Sequence, residues 1–203
     1  MRRVPMTRCQ GSLIVITADG ARTAGHDGAG APRNVAPTTW AHTGACAWAA
    51  AWFEVRQRPW LSSREIAHDD VWTGRVVYED GYGRTQRITH RPDMGTLLGD
   101  LARPIAVELE LQRKSETRLR GILGMYAQRT AQPGAELGDV IYITANANVA
   151  SRVRAAAAAV GLAEHPAGRL RLLALDDVIA QTRTVALQQR AAARSIEVPD
   201  AWR

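Results

Sequence analysis

The hydrophobic and polar positions switch period several times along the chain. Residues 13–17 form a short apolar run, followed by a turn at Ala18-Asp19-Gly20. That pattern predicts a strand and its continuation. From residue 38 to 56 the period becomes helical: Trp40, Gly44, Ala47, Trp48, Ala51 and Val55 fall on one stripe, and Thr38 or Thr39 can cap its start. His42 lies opposite the stripe and Glu54 at its edge, positions that a solvated histidine and a solvated glutamate commonly take. Ser62-Ser63-Arg64-Glu65 has the spacing of a capping box, with Leu61 and Ile66 placed as a hydrophobic staple. Residues 71–78, 84–89, 93–98 and 105–112 read as strands, the first two joined by a turn at Glu79-Asp80-Gly81-Tyr82-Gly83. Ser115 can cap a helix over 116–129 with a stripe of Leu119, Ile122, Leu123 and Tyr126. A β-branched and aromatic strand over 140–144 follows. Then come a helix over 149–160 capped by Asn146 or Asn148, a strand over 170–175 and a helix over 176–195. This order predicts an α/β domain with a mixed sheet flanked by helices, antiparallel strands first and a helix-connected parallel extension after them.

One strand departs from the ordinary pattern. In 105–112, Val107, Leu109 and Leu111 share a face, while Glu108, Glu110 and Gln112 share the other, with Lys114 further along it. Two carboxylates in succession on one face repel each other, so a cation or a basic neighbour is expected there. If a turn near Leu101-Ala102 returns the preceding strand, Asp93 comes opposite Glu110, and three carboxylates meet. Such a set suits a hard divalent cation. A nuclease using Mg²⁺ would need these carboxylates and a positive group beside the developing charge. Asp93, Glu108 and Glu110 could hold the metal, Lys114 could supply the charge, and Gln112 could place a water. Strand faces carrying Glu and Gln are more commonly a sheet surface open to solvent.

Composition adds a partner. The chain has 203 residues, enough for one domain of ordinary size, with 46% hydrophobic residues, a formal charge of +6 and a sequence pI near 10.1. Lys114 is the single lysine among 26 basic residues. Lysine is a compact charge that can shift its pKa, which arginine does not do. A basic domain favours an anionic partner such as DNA, and Arg113, Arg118 and Arg120 lie where phosphate contacts could form. No apolar run approaches the ~20 residues that cross a bilayer. Cys9 and Cys46 give neither a disulfide framework nor metal-ligand spacing, and the expected compartment is the cytoplasm. There is no P-loop, dinucleotide glycine fingerprint, nucleophile elbow or zinc-type spacing.

The strings His90-Arg91-Pro92-Asp93, Ala106 to Ser115, Arg118-Leu119, Ile122-Leu123 and Tyr126 resemble the replication-relaxation family of actinobacterial plasmids, phages and integrated elements. So do His42 to Trp48, Trp60 to Ile66 and the strand over 140–144. The resemblance implies a winged-helix DNA-binding part followed by a restriction-endonuclease-like domain, with DNA and replication proteins as partners. On that basis residues 1–25 are expected to be the remnant of a winged-helix wing, truncated at its start. Residues 26–37 are then a linker, 38–195 the nuclease-like domain and 196–203 a tail. The nuclease pattern implied is Pro-Asp followed by an acidic residue, any residue and lysine. Pro92-Asp93 matches its first part. Glu108-Leu109-Glu110 puts a glutamate, and Glu110-Leu111-Gln112 a glutamine, where that lysine is expected, with Lys114 displaced along the same face.

Overall fold

The computed structural model describes residues 2–5, 12–15, 37–97, 103–131 and 134–194. The turn at residues 18–20, most of the expected linker, the turn near Leu101-Ala102 and the expected tail lie outside the described residues. The chain divides into two units, 1–47 and 48–203. In the first, β1 (Arg2–Pro5) pairs antiparallel with β2 (Ser12–Val15), Arg2 opposite Val15. The first residues of the chain thus supply the partner that the second strand needs. Helix α1 (Pro37–Glu54) starts on a proline, which lacks the N–H that the first helical position leaves unpaired anyway.

The second unit is built on a five-stranded sheet. Its strands are β3 (Trp60–Ser62), β6 (Met94–Thr96), β7 (Ile105–Glu110), β8 (Val140–Thr144) and β9 (Leu170–Ala174), in that spatial order. The β3–β6 and β6–β7 pairings are antiparallel, and β7–β8 and β8–β9 are parallel. The mixed sheet and its parallel extension are as the pattern predicts. The membership of the sheet is not. β4 (Gly74–Glu79) and β5 (Thr85–His90) form a separate two-stranded hairpin, inserted between β3 and β6. The short strand beside β6 is instead β3, whose three residues are too few to carry an alternation signal.

Local chemistry explains most element ends. Ser62 N donates to Glu65 Oε2 at 2.7 Å and Glu65 N to Ser62 Oγ at 3.4 Å, so the capping box forms. The Ser62 amide does most to hold the Glu65 carboxyl below its ordinary value, and a hydrogen bond from the Ser62 side chain to that carboxyl adds to it. Only a 3-10 turn, Ile66–His68, follows it, with a second at Asp70–Trp72 where the start of a strand is predicted. In the hairpin turn, Asp80 Oδ1 accepts from Tyr82 N (2.9 Å) and Arg84 N (3.0 Å), and Oδ2 accepts from Gln86 Nε2 (2.8 Å). Helix α2 (Glu116–Thr130) is capped by Ser115 and α3 (Ala147–Ala159) by Asn146, as their sequences predict. Helix α4 (Leu175–Arg194) follows β9 directly. It is tied to the end of α1 by Gln181, whose Oε1 accepts from Trp52 Nε1 (3.2 Å) and Arg56 Nη2 (2.8 Å).

Strand β7 lies in the middle of the sheet, and every residue of it is buried. Leu119, Ile122, Leu123 and Tyr126 of α2 and Val153, Ala156 and Ala157 of α3 form one core with Ala106, Val140, Tyr142 and Leu170. On the opposite face Val107, Leu109, Ile141 and Ile143 are buried as well. The glutamate face of β7 is therefore a second interior face, which corrects the expectation of one core face and one open polar face. Parallel strands covered by crossover helices bury both sides, and here that leaves two carboxylates inside.

Candidate functional site

Three carboxylates come together at the ends of β6 and β7. Pairing of Met94 with Val107 and Gly95 with Ala106 fixes the register. Continued one residue outward, it sets Asp93 level with Glu108 and not with Glu110, correcting the expected opposition. Asp93 Oδ2 accepts from Leu109 N at 2.7 Å, so the carboxylate caps the neighbouring strand just beyond the β6 pairing. Pro92 before it is buried.

Glu108 is 3% exposed. Its Oε1 meets His90 Nε2 at 2.6 Å and accepts from the Tyr126 hydroxyl. His90 is the last residue of β5 and Tyr126 sits in the third turn of α2, so hairpin and helix converge on one carboxylate. The His90 and Tyr126 rings also meet edge to face at 6.0 Å. Burial raises the Tyr126 hydroxyl well above its ordinary value, and the negative Glu108 adds to that, which keeps the phenol a donor. Tyr142, level with Glu108 on β8, is raised for the same reasons in the same order.

Glu110 is 4% exposed and ends β7. Its Oε2 accepts from Lys114 Nζ, and the lysine side chain is 27% exposed. Burial raises the Glu110 carboxyl above its ordinary range. The hydrogen bond and charge of Lys114 oppose the rise, while the charges of Glu108 and Asp93 add to it. Asp93 and Glu108 are thus both close enough to act on Glu110. Lys114 lies past the end of the strand, and its side chain reaches back to pair with Glu110.

The remaining expected residues separate. Gln112 and Arg113 are exposed beyond β7 and line a cleft next to Glu110 and Lys114. Arg118 is exposed in the first turn of α2, where its backbone N donates to Ser115 Oγ at 3.4 Å. Arg120 is engaged by Glu116 at 2.5 Å and lines a different groove, between α2 and the β4–β5 hairpin. His90 and Tyr126 are the site residues that pattern reading missed as chemistry. Both belong to the strings that carry the family resemblance, but each is 18 residues from Glu108 and neither spacing marks it as a partner.

The donors are of the type that hard cations take, three carboxylates with excess negative charge. Among the described residues, however, no group of three or more His, Cys, Asp or Glu side chains is arranged to hold a metal ion. A cation here would compete with Lys114 for Glu110 and with His90 and Tyr126 for Glu108. Comparison of the chain with protein-family models, curated proteins and solved structures finds no match.

Proposed function

We propose that this is a DNA-associated protein of plasmid or mobile-element replication, whose α/β domain is restriction-endonuclease-like and whose β6–β7 cluster is a divalent-metal-dependent nuclease or nickase site. The observation that carries the reading is the placement of Asp93 level with Glu108 across β6 and β7, with Glu110 two residues further along the same buried face of β7 and Lys114 paired to it. The register favours Glu108 as the acidic partner of Asp93, because the two are level across β6 and β7. Glu110 then stands in the lysine position of the nuclease pattern, and Lys114 brings its ammonium back to that place from the following segment. The chemistry of the donors fits Mg²⁺, which Asp93, Glu108 and Glu110 would hold and which would polarise a phosphate and its attacking water. The protein's own contribution is positional. His90 and Tyr126 fix Glu108, the Leu109 amide fixes Asp93, and Lys114 keeps positive charge beside Glu110.

The test is cleavage of supercoiled plasmid with Mg²⁺ or Mn²⁺. Wild-type protein is expected to nick or linearise it, and Asp93→Asn or Glu110→Gln to abolish cutting while the far-UV spectrum is retained. Absence of any cutting by pure wild-type protein refutes the enzyme reading. A second reading, a catalytically silent nuclease-fold module that binds DNA or a replication protein, is favoured by the engagement of Glu108 and Glu110 by protein partners. Duplex binding without cutting, unchanged in those two variants, is its signature.

A further inference from the structure

Beside Glu110 a cleft of ≈ 330 Å³ opens at the carboxyl ends of β7 and β8. Parallel strands connected by helices on one face bring helix N-termini to this end of the sheet. Here α2 begins after Ser115 and α3 after Asn146. Amide N–H groups left unpaired at those starts carry partial positive charge. The polar walls of the cleft are Glu110, Gln112, Arg113, Lys114, Asn146, Asn148 and Arg152. Three cationic side chains face one carboxylate, and that carboxylate is already paired with Lys114.

Arg152 supplies the independent observation. Its Nη2 donates to the Lys114 carbonyl oxygen at 3.3 Å, which fixes the guanidinium beside the Lys114–Glu110 pair. Its Nη1 is shielded from solvent and has no hydrogen-bond partner among the described residues. A guanidinium N–H withdrawn from water without an acceptor is costly, and a turn of the Arg152 guanidinium toward an anionic oxygen in the cleft would meet that need most strongly. Leu119, Val149 and Val153 add apolar wall to the same cleft, which suits a sugar-bearing phosphodiester better than a bare ion.

We propose that this cleft holds one backbone phosphate of a DNA strand, with Arg152 and Arg113 as its cationic contacts and the start of α3, at Asn146 and Asn148, as its neutral wall. The inference rests on the reading of Glu110 and Lys114 as part of a nucleic-acid site, and names the grip that holds the substrate strand beside them.

The experiment is fluorescence anisotropy with a short labelled duplex in EDTA, across a salt series, so that binding is read without cutting. Arg152→Ala is expected to weaken binding several-fold and to lower the slope of log K against log[salt] by about 0.9, the share of one phosphate contact. Asn148→Asp guards against a folding artefact. It places a carboxylate at the second position of α3, where helix ends favour negative charge. The fold should therefore be kept, while affinity falls by about fivefold or more through repulsion. Wild-type affinity and slope in both variants overturn the proposal. So does wild-type protein that takes inorganic phosphate but no duplex, an outcome that makes the cleft a small-anion site. Loss of binding in both variants, with no plasmid cutting by wild type, upholds this inference and refutes the nuclease reading. Cutting by wild type with unaltered binding in both variants does the reverse.

Discussion

Replacing Lys114 by methionine removes the charge on Glu110 while keeping much of the side-chain volume, and the structure fixes both the size and the pH course of the result. Breaking a fully buried ion pair by deleting one partner costs about 3–5 kcal/mol. Lys114 is 27% exposed and Glu110 only 5% on its side chain, so water screens part of the interaction. A loss of about 1–3 kcal/mol near neutral pH is therefore expected. For a domain of this size that is roughly 2–12 °C in Tm. The sign with pH follows from Glu110. Its folded pKa lies above the ordinary glutamate value, so the native state binds the proton more tightly than the unfolded chain does, and stability falls as pH rises between the two values. Lys114 is what holds the folded value down, and without it that value rises further. The Lys114→Met deficit should be small at acid pH, where Glu110 is protonated with or without the lysine. It should grow as pH rises through the gap between the wild-type and variant folded values, then level off. Thermal melts of both proteins in EDTA across a pH series measure this directly. A Tm offset that is the same at every pH would refute the reasoning, since it would locate the cost of the substitution in packing rather than in an uncompensated carboxylate.

Other consequences are equally specific. Tyr126→Phe removes the hydroxyl from a buried carboxylate and should cost about 1–3 kcal/mol in urea unfolding. In the double-mutant cycle with Glu108→Gln, a coupling near zero would show that the hydroxyl does not stabilise Glu108. Gly95→Ala would put a Cβ 2.5 Å from the ring of Trp72, itself buried, and overpacking of this kind costs about 1–3 kcal/mol. A melting temperature equal to wild type would mean that the ring can yield. Asp139 is buried and paired with Arg171 at 2.7 Å and Arg169 at 3.5 Å. Asp139→Ala should lower stability by about 1–2 kcal/mol and no more, because both arginines are exposed enough to return to water. A larger loss would show that they are held in place without it.

The sequence by itself determined what depends on near neighbours along the chain. Ser115 and Asn146 cap their helices because a side-chain oxygen reaches an amide three residues on, and the same geometry closes the Ser62–Glu65 box. The strand carrying Glu108 and Glu110, the turn at Asp80 and the parallel strand over 140–144 were legible in the same way, from alternation, turn chemistry and β-branched runs. Only the tertiary structure decided what those residues are for. A capping box cannot specify how long the next helix will be, and here only a 3-10 turn follows it. Alternation along β7 marks two faces but not whether both are covered, and the crossover helix α2 turned the acidic face into an interior one. Strand register, set by pairing and not by spacing, brought Asp93 level with Glu108. His90, Tyr126 and Arg152 reached the candidate site from a hairpin and two helices, through contacts spanning 18, 18 and 38 residues. Carboxylates inside a protein must find partners wherever the fold can supply them, and no local pattern records which distant elements will do so.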